Sequence, residues 1–118
     1  MSLPHDHGQQ IEALAAHLPE TGEFQAAAEL FRLLGDGSRI RVFWLLCHGE
    51  ECVINLSAMM EMSSPAVSHH LRQLKDAGLI VSRREGNEVY YKAAPTEAAA
   101  ELHRMIERLM AISCPGRE

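Results

Sequence analysis

Apolar residues recur at helical spacing in six stretches of the chain and give way to strand-like alternation in one. Ile11, Leu14, Ala15 and Leu18 predict a short helix that Pro19 and Gly22 interrupt. Ala27, Leu30, Phe31 and Leu34 line one face of a second helix over about 24 to 34, with Gly35 as its stop. A third follows Asp36-Gly37-Ser38, with Ser38 as its N-cap, and runs through Ile40, Val42, Phe43, Trp44, Leu46 and Cys47 to Gly49. Residues 55 to 62 form a short amphipathic segment with Leu56, Met59 and Met60 on one side. Next comes a helix specified at both ends, with Ser63 or Ser64 as cap, Pro65 in the first turn and Gly78 as a left-handed stop. Val67, Leu71 and Leu74 form its apolar back, continued by Leu79 and Ile80. Residues 81 to 92 read as two strands around the turn at Gly86-Asn87. The last helix, within 95 to 113, repeats Ala99, Leu102, Ile106, Leu109 and Ser113, widened by Met105, Met110 and Ile112.

Helix, turn, helix, hairpin is therefore the expected unit over about 52 to 92. The expected fold class is mainly α with a small β-hairpin wing, in one domain over 11–118 behind a mobile polar tail at 1–10. The wide apolar stripe of the final helix needs cover, which its own domain or a second copy can provide. A symmetric dimer through the first and last helices is the favoured expectation, because such a dimer presents two reading helices one DNA turn apart. Opposite the apolar back, Ser64, Ser68, Arg72 and Lys75 follow steps of four, four and three. That stripe offers donors to bases and phosphates, although a solvated helix also carries such residues for solubility alone.

Charge sharpens this picture. The 118 residues carry a formal net charge of −5, which argues against unspecific coating of nucleic acid, yet Arg72, Lys75, Arg83, Arg84 and Lys92 cluster in the reading unit. No apolar run approaches the length a bilayer requires and no leader pattern opens the chain, so a soluble cytoplasmic protein with no membrane partner is expected. Three cysteines are too few and too unevenly spaced for a disulfide framework. An enzyme is not expected: Cys47 and His48 diverge as neighbours on a helix, and no glycine-rich phosphate loop is present.

Three segments, residues 30–42, 64–80 and 83–91, together resemble the ArsR/SmtB family of winged helix-turn-helix repressors, over roughly residues 24 to 113. The resemblance implies a homodimer that binds double-stranded operator DNA and releases it when a metal ion, metalloid or reactive sulfur species binds. It implies that Ser64, Ser68, His69, His70, Arg72 and Gln73 face the major groove, beside Lys75, with Arg83 and Arg84 of the wing on backbone or minor groove.

The inducer site departs from the family. Cys52 stands where relatives have a thiol, but Ile54 and Asn55 replace the second thiol and the acid. His5 and His7 in the tail, with Cys52 of the other protomer, make a mixed site for Zn²⁺ or another transition metal, unless the tail is simply polar. On the last helix the family pattern is poorly matched by Pro95, Glu97, His103 and Glu107, which read as a solvated charged face. Cys47 and Cys114 resemble the pair of sulfur-responsive relatives and define a thiol-based alternative, with Cys47 otherwise a small buried apolar residue. A DNA-binding architectural protein without an inducer is the remaining reading.

Overall fold

The computed structural model describes residues 3–5 and 10–113. Its chain divides into two units, residues 1–31 and 32–118. In the first, α1 (Ile11–Ala15) is short and contributes nothing to a core, and the Leu3 amide donates to Glu12 Oε1 at 3.2 Å. Helix α2 (Thr21–Leu33) starts three residues before the expected Phe24. The Glu23 carboxylate reaches back to accept from the Glu20 amide at 3.0 Å, satisfying a donor at the helix start so that Gly22 is carried inside. Phe24, Leu30 and Phe31 of α2 remain exposed.

In the second unit, Asp36 rather than Ser38 caps α3 (Gly37–His48): its backbone is extended and its Oδ1 accepts from the Arg39 amide at 3.0 Å. An aspartate there also meets the positive end of the helix dipole, an advantage a serine lacks. Helix α4 (Val53–Met60) ends at Glu61, whose φ of 54° is left-handed and turns the chain sharply into α5 (Ser64–Asp76). Ser63 caps α5, its Oγ accepting from the Ala66 amide at 3.2 Å, and Gly78 beyond the helix has φ +76°. Leu56 and Met60, four residues apart, are buried, whereas Met59 is exposed against expectation because it lies a hundred degrees round the helix from Met60.

The wing holds one more strand than the pattern suggests. β1 (Glu51–Cys52), β2 (Ile80–Glu85) and β3 (Glu88–Ala93) form an antiparallel sheet in the order β1-β3-β2. β2 and β3 are joined through Gly86-Asn87, with Gly86 at φ +62°, the geometry that a two-residue hairpin turn demands. β1 places Glu51 opposite Tyr91 and Cys52 opposite Tyr90. Helix α6 (Glu97–Ser113) opens with Thr96 Oγ1 accepting from the Ala99 amide at 3.2 Å.

One core joins these elements. Val42, Phe43 and Leu46 of α3 pack with Leu56 and Met60 of α4, Val67, Leu71 and Leu74 of α5, and Ala99, Leu102 and Ile106 of α6. The stripe expected on α6 divides: Leu109 is not continuous with the buried set but lies exposed with Met105 and Ile112. Among the described residues, no helix is long and apolar enough to cross a membrane. Phe43 is fully buried at the centre, so Phe43→Ala is expected to cost about 3–5 kcal/mol, read as a lowered urea midpoint at unchanged slope.

Candidate nucleic-acid interface

Helix α5 can turn only one face outward, because its other face carries Val67, Leu71 and Leu74, all at 1% exposure or less. The outward face presents Ser64, His69, Arg72, Gln73 and Lys75, all exposed, with Ser68 half-buried at its edge. Ser64 Oγ lies 3.2 Å from Ser57 Oγ, joining the start of α5 to the second turn of α4 through a hydroxyl pair. Lys75 Nζ donates to Ser82 Oγ at 2.7 Å and so steadies the end of α5 against the wing. Arg72 has no ion-pair partner among the described residues, and its guanidinium is left available for an anion or a base edge.

His70 departs from the expected groove-facing set. It is only 7% exposed, on the same side as Val67, Leu71 and Leu74, and its Nδ1 is buried without a hydrogen bond. Burial pushes its pKa below the ordinary histidine value, with Arg39 and His69 adding to the effect and the Asp36 carboxylate opposing it. His70 is thus held neutral beneath the helix, while His69, its ring 5.6 Å away, carries the outward imidazole.

The two wing arginines differ. Arg83 is cross-strand to Tyr90 with its Cζ 4.8 Å from the ring centroid, and its guanidinium forks onto Glu50 at 2.7–3.0 Å and onto Glu85 at 2.6 Å. Those bonds raise its pKa and hold the Glu50 carboxyl below its usual value. Arg83 is half-exposed yet committed to two carboxylates. Arg84, on the other side of the strand, is exposed and unpaired among the described residues, so it is the freer wing cation.

The family model described as bacterial regulatory protein, arsR family, matches residues 36–82, from the cap of α3 into the wing. The transcriptional repressor SmtB homolog of Synechocystis sp. is 39% identical over 88 residues, 75% of this chain and 67% of that protein. The chain belongs to the ArsR/SmtB family of transcriptional regulators. The arsenical resistance operon repressor of Escherichia coli is 36% identical over 73 residues, and the chain spans 61% of its own length and 62% of that relative's. HlyU from Vibrio cholerae superposes with a TM-score of 0.67 at 29% identity, covering 76% of this chain and 97% of that one.

Within this ArsR/SmtB member only some of the expected inducer residues are described. His7 and Cys114 lie outside the described residues, and His5 is exposed in the first unit. Cys52 is buried at 8% exposure, its backbone paired in β1 and serving as the N-cap of α4. Asn55, which replaces the family acid, donates to Glu51 Oε2 at 2.8 Å, and the same oxygen accepts from the Cys52 amide at 3.2 Å. An acid at position 55 would repel that carboxylate, so the substitution has a structural use here. Cys47 is half-buried, and burial together with the Glu107 charge pushes its thiol up to about 11. At neutral pH it is a thiol, not a nucleophilic thiolate.

Two outcomes follow. Because the folded-state pKa of His70 lies below the ordinary value of about 6.5, the unfolded chain binds protons that the folded chain refuses, and stability falls as pH drops below that value. His70→Leu is expected to flatten the fall in urea midpoint between about pH 7.5 and 5.5, since it removes the titrating group while keeping a similar volume. With Cys52 and Cys114 both changed to Ser, alkylation of Cys47 by iodoacetamide at pH 8 is expected to run about tenfold slower than for a thiol at the ordinary value of 9.0, measured by mass spectrometry, because the smaller thiolate fraction outweighs the greater nucleophilicity of a more basic thiolate.

Proposed function

We propose that two copies of the chain bind operator DNA as a transcriptional repressor, with α5 of each copy in the major groove and the wing beside it. The observation that carries this reading is the outward face of α5: Ser64, His69, Arg72 and Gln73 stand clear of the core over a fully buried apolar back. An α-helix is about as wide as the major groove, and an arginine there can pair with a guanine edge. Dimerisation uses the uncovered apolar residues of the first and last helices, Ile11 and Leu14 on α1 and Met105, Leu109 and Ile112 on α6, with Phe24, Leu30 and Phe31 of α2 also available. The similar Synechocystis and Escherichia coli proteins, called repressors, support the same reading, and arsenical resistance in the second supports a metal or metalloid as the releasing signal.

The test is fluorescence anisotropy on the DNA upstream of the protein's own gene, against a scrambled duplex, with zinc, cadmium, arsenite or polysulfide added. Preferential binding to the upstream DNA and release by one added species are expected. Arg72→Ala should weaken operator binding by about 1–3 kcal/mol and affect the scrambled duplex less, as loss of a base contact does. Equal affinity of the unmodified protein for both duplexes, or a monomer by light scattering at binding concentrations, would overturn the reading.

A further inference from the structure

At the far end of α3 from its Asp36 cap, three potential metal ligands meet. His48 closes α3, while His103 and Glu107 project from α6 four residues apart, the spacing that places two side chains on one helix face. One ligand atom from each of the three lies within 4.8 Å of the others. His103 Nε2 is 3.1 Å from a Glu107 carboxylate oxygen, while the His48 and His103 rings meet edge-on at 5.0 Å between centroids. His103 Nε2 is closed off from solvent and has no aligned hydrogen bond, although an ion-pair contact reaches it. His48 and Glu107 are exposed, so an ion can enter from their side.

The geometry points to a binding site for a divalent transition metal ion at His48, His103 and Glu107, within one protomer and bridging α3 to α6. Two imidazoles and a carboxylate are borderline and hard donors, the set that suits Zn²⁺, Co²⁺ or Ni²⁺. Metal bonds of about 2.0–2.1 Å separate tetrahedral ligand atoms by roughly 3.3 Å, a contraction that rotation of two solvent-exposed side chains provides. Water completes the coordination. No thiolate belongs to the set, so arsenite is not its ligand. This site differs from the last-helix pattern sought in the sequence: Pro95 and Glu97 take no part in it, and His48 of α3 supplies its third donor. It deepens the proposed metal response by naming donors, yet binding itself requires neither DNA nor the tail.

The protein carries its own reporter. Its single tryptophan, Trp44, has its ring centroid 4.3 Å from that of His48, close enough for a paramagnetic ion on His48 to quench its emission. Titrating the full chain with Co²⁺ in the absence of DNA is expected to quench Trp44 at one equivalent per chain, with Zn²⁺ reversing the effect. Loss of a single outer-shell partner of a metal commonly costs about 10–100-fold in affinity, so loss of a ligand in Glu107→Gln or His48→Ala should cost at least about tenfold. Both positions are solvent-exposed, and unchanged circular dichroism is to confirm that the variants fold. The double change His5→Ala, His7→Ala should leave the titration unaltered. Absence of stoichiometric quenching, full affinity in both folded ligand variants, or loss of binding in the tail variant would each overturn the site. No DNA enters this assay, so its failure is separate from failure of the repressor reading.

Discussion

The structure depends on the seam where the apolar back of α5 meets α3 and α4. Val67, Leu71 and Leu74 are all but removed from solvent against Val42, Phe43, Leu46 and Leu56, so the helix cannot roll about its axis without exposing them and burying Arg72 or Gln73. Each such side chain is worth about 1.5–3 kcal/mol of burial, whereas an unpaired buried guanidinium costs several. The orientation of the polar face is thus a consequence of the core. The caps at Asp36 and Ser63 set where α3 and α5 start, and the left-handed turn at Glu61 sets where α4 stops.

That constraint also explains how an acidic chain can carry a cationic face. The formal charge of −5 counts every side chain equally, but ion pairs decide which charges remain available. Glu50 and Glu85 consume Arg83 and brace it across Tyr90, whereas Arg72 and Arg84 stay open. Arg83 thereby stiffens the base of the wing and Arg84 projects from it. Its fork onto Glu50 also links the wing to the loop after α3.

The donors divide by element and by burial. Cys52 is buried and built into the sheet and the start of α4, and burial holds Cys47 as a neutral thiol. Nitrogen and oxygen donors instead gather where α3 ends against α6. An ion held there ties a helix of the reading core to the helix that exposes Met105, Leu109 and Ile112. Metal binding and assembly would then act on the same element.

Periodicity alone placed the helices of the reading unit, the hairpin and the inward set of α5, because the apolar steps of three and four, the serine cap, Pro65, Gly78 and Gly86 are local signals that agree with one another. It also picked out Arg72 as an outward cation. Packing decided the rest. His70 sits three residues after Val67 and next to Leu71, and only the space available below α5 determines that this imidazole goes inward. β1 is two residues long and carries no period, so it exists because β3 lies alongside. His103 and Glu107 look like a solvated charged face until α3 brings His48 to them from 55 residues away in the chain. Sequence determines what each helix must bury, since that choice lies within one or two turns. Which distant side chains then meet depends on how the helices dock, and docking is decided by the shape of the whole core.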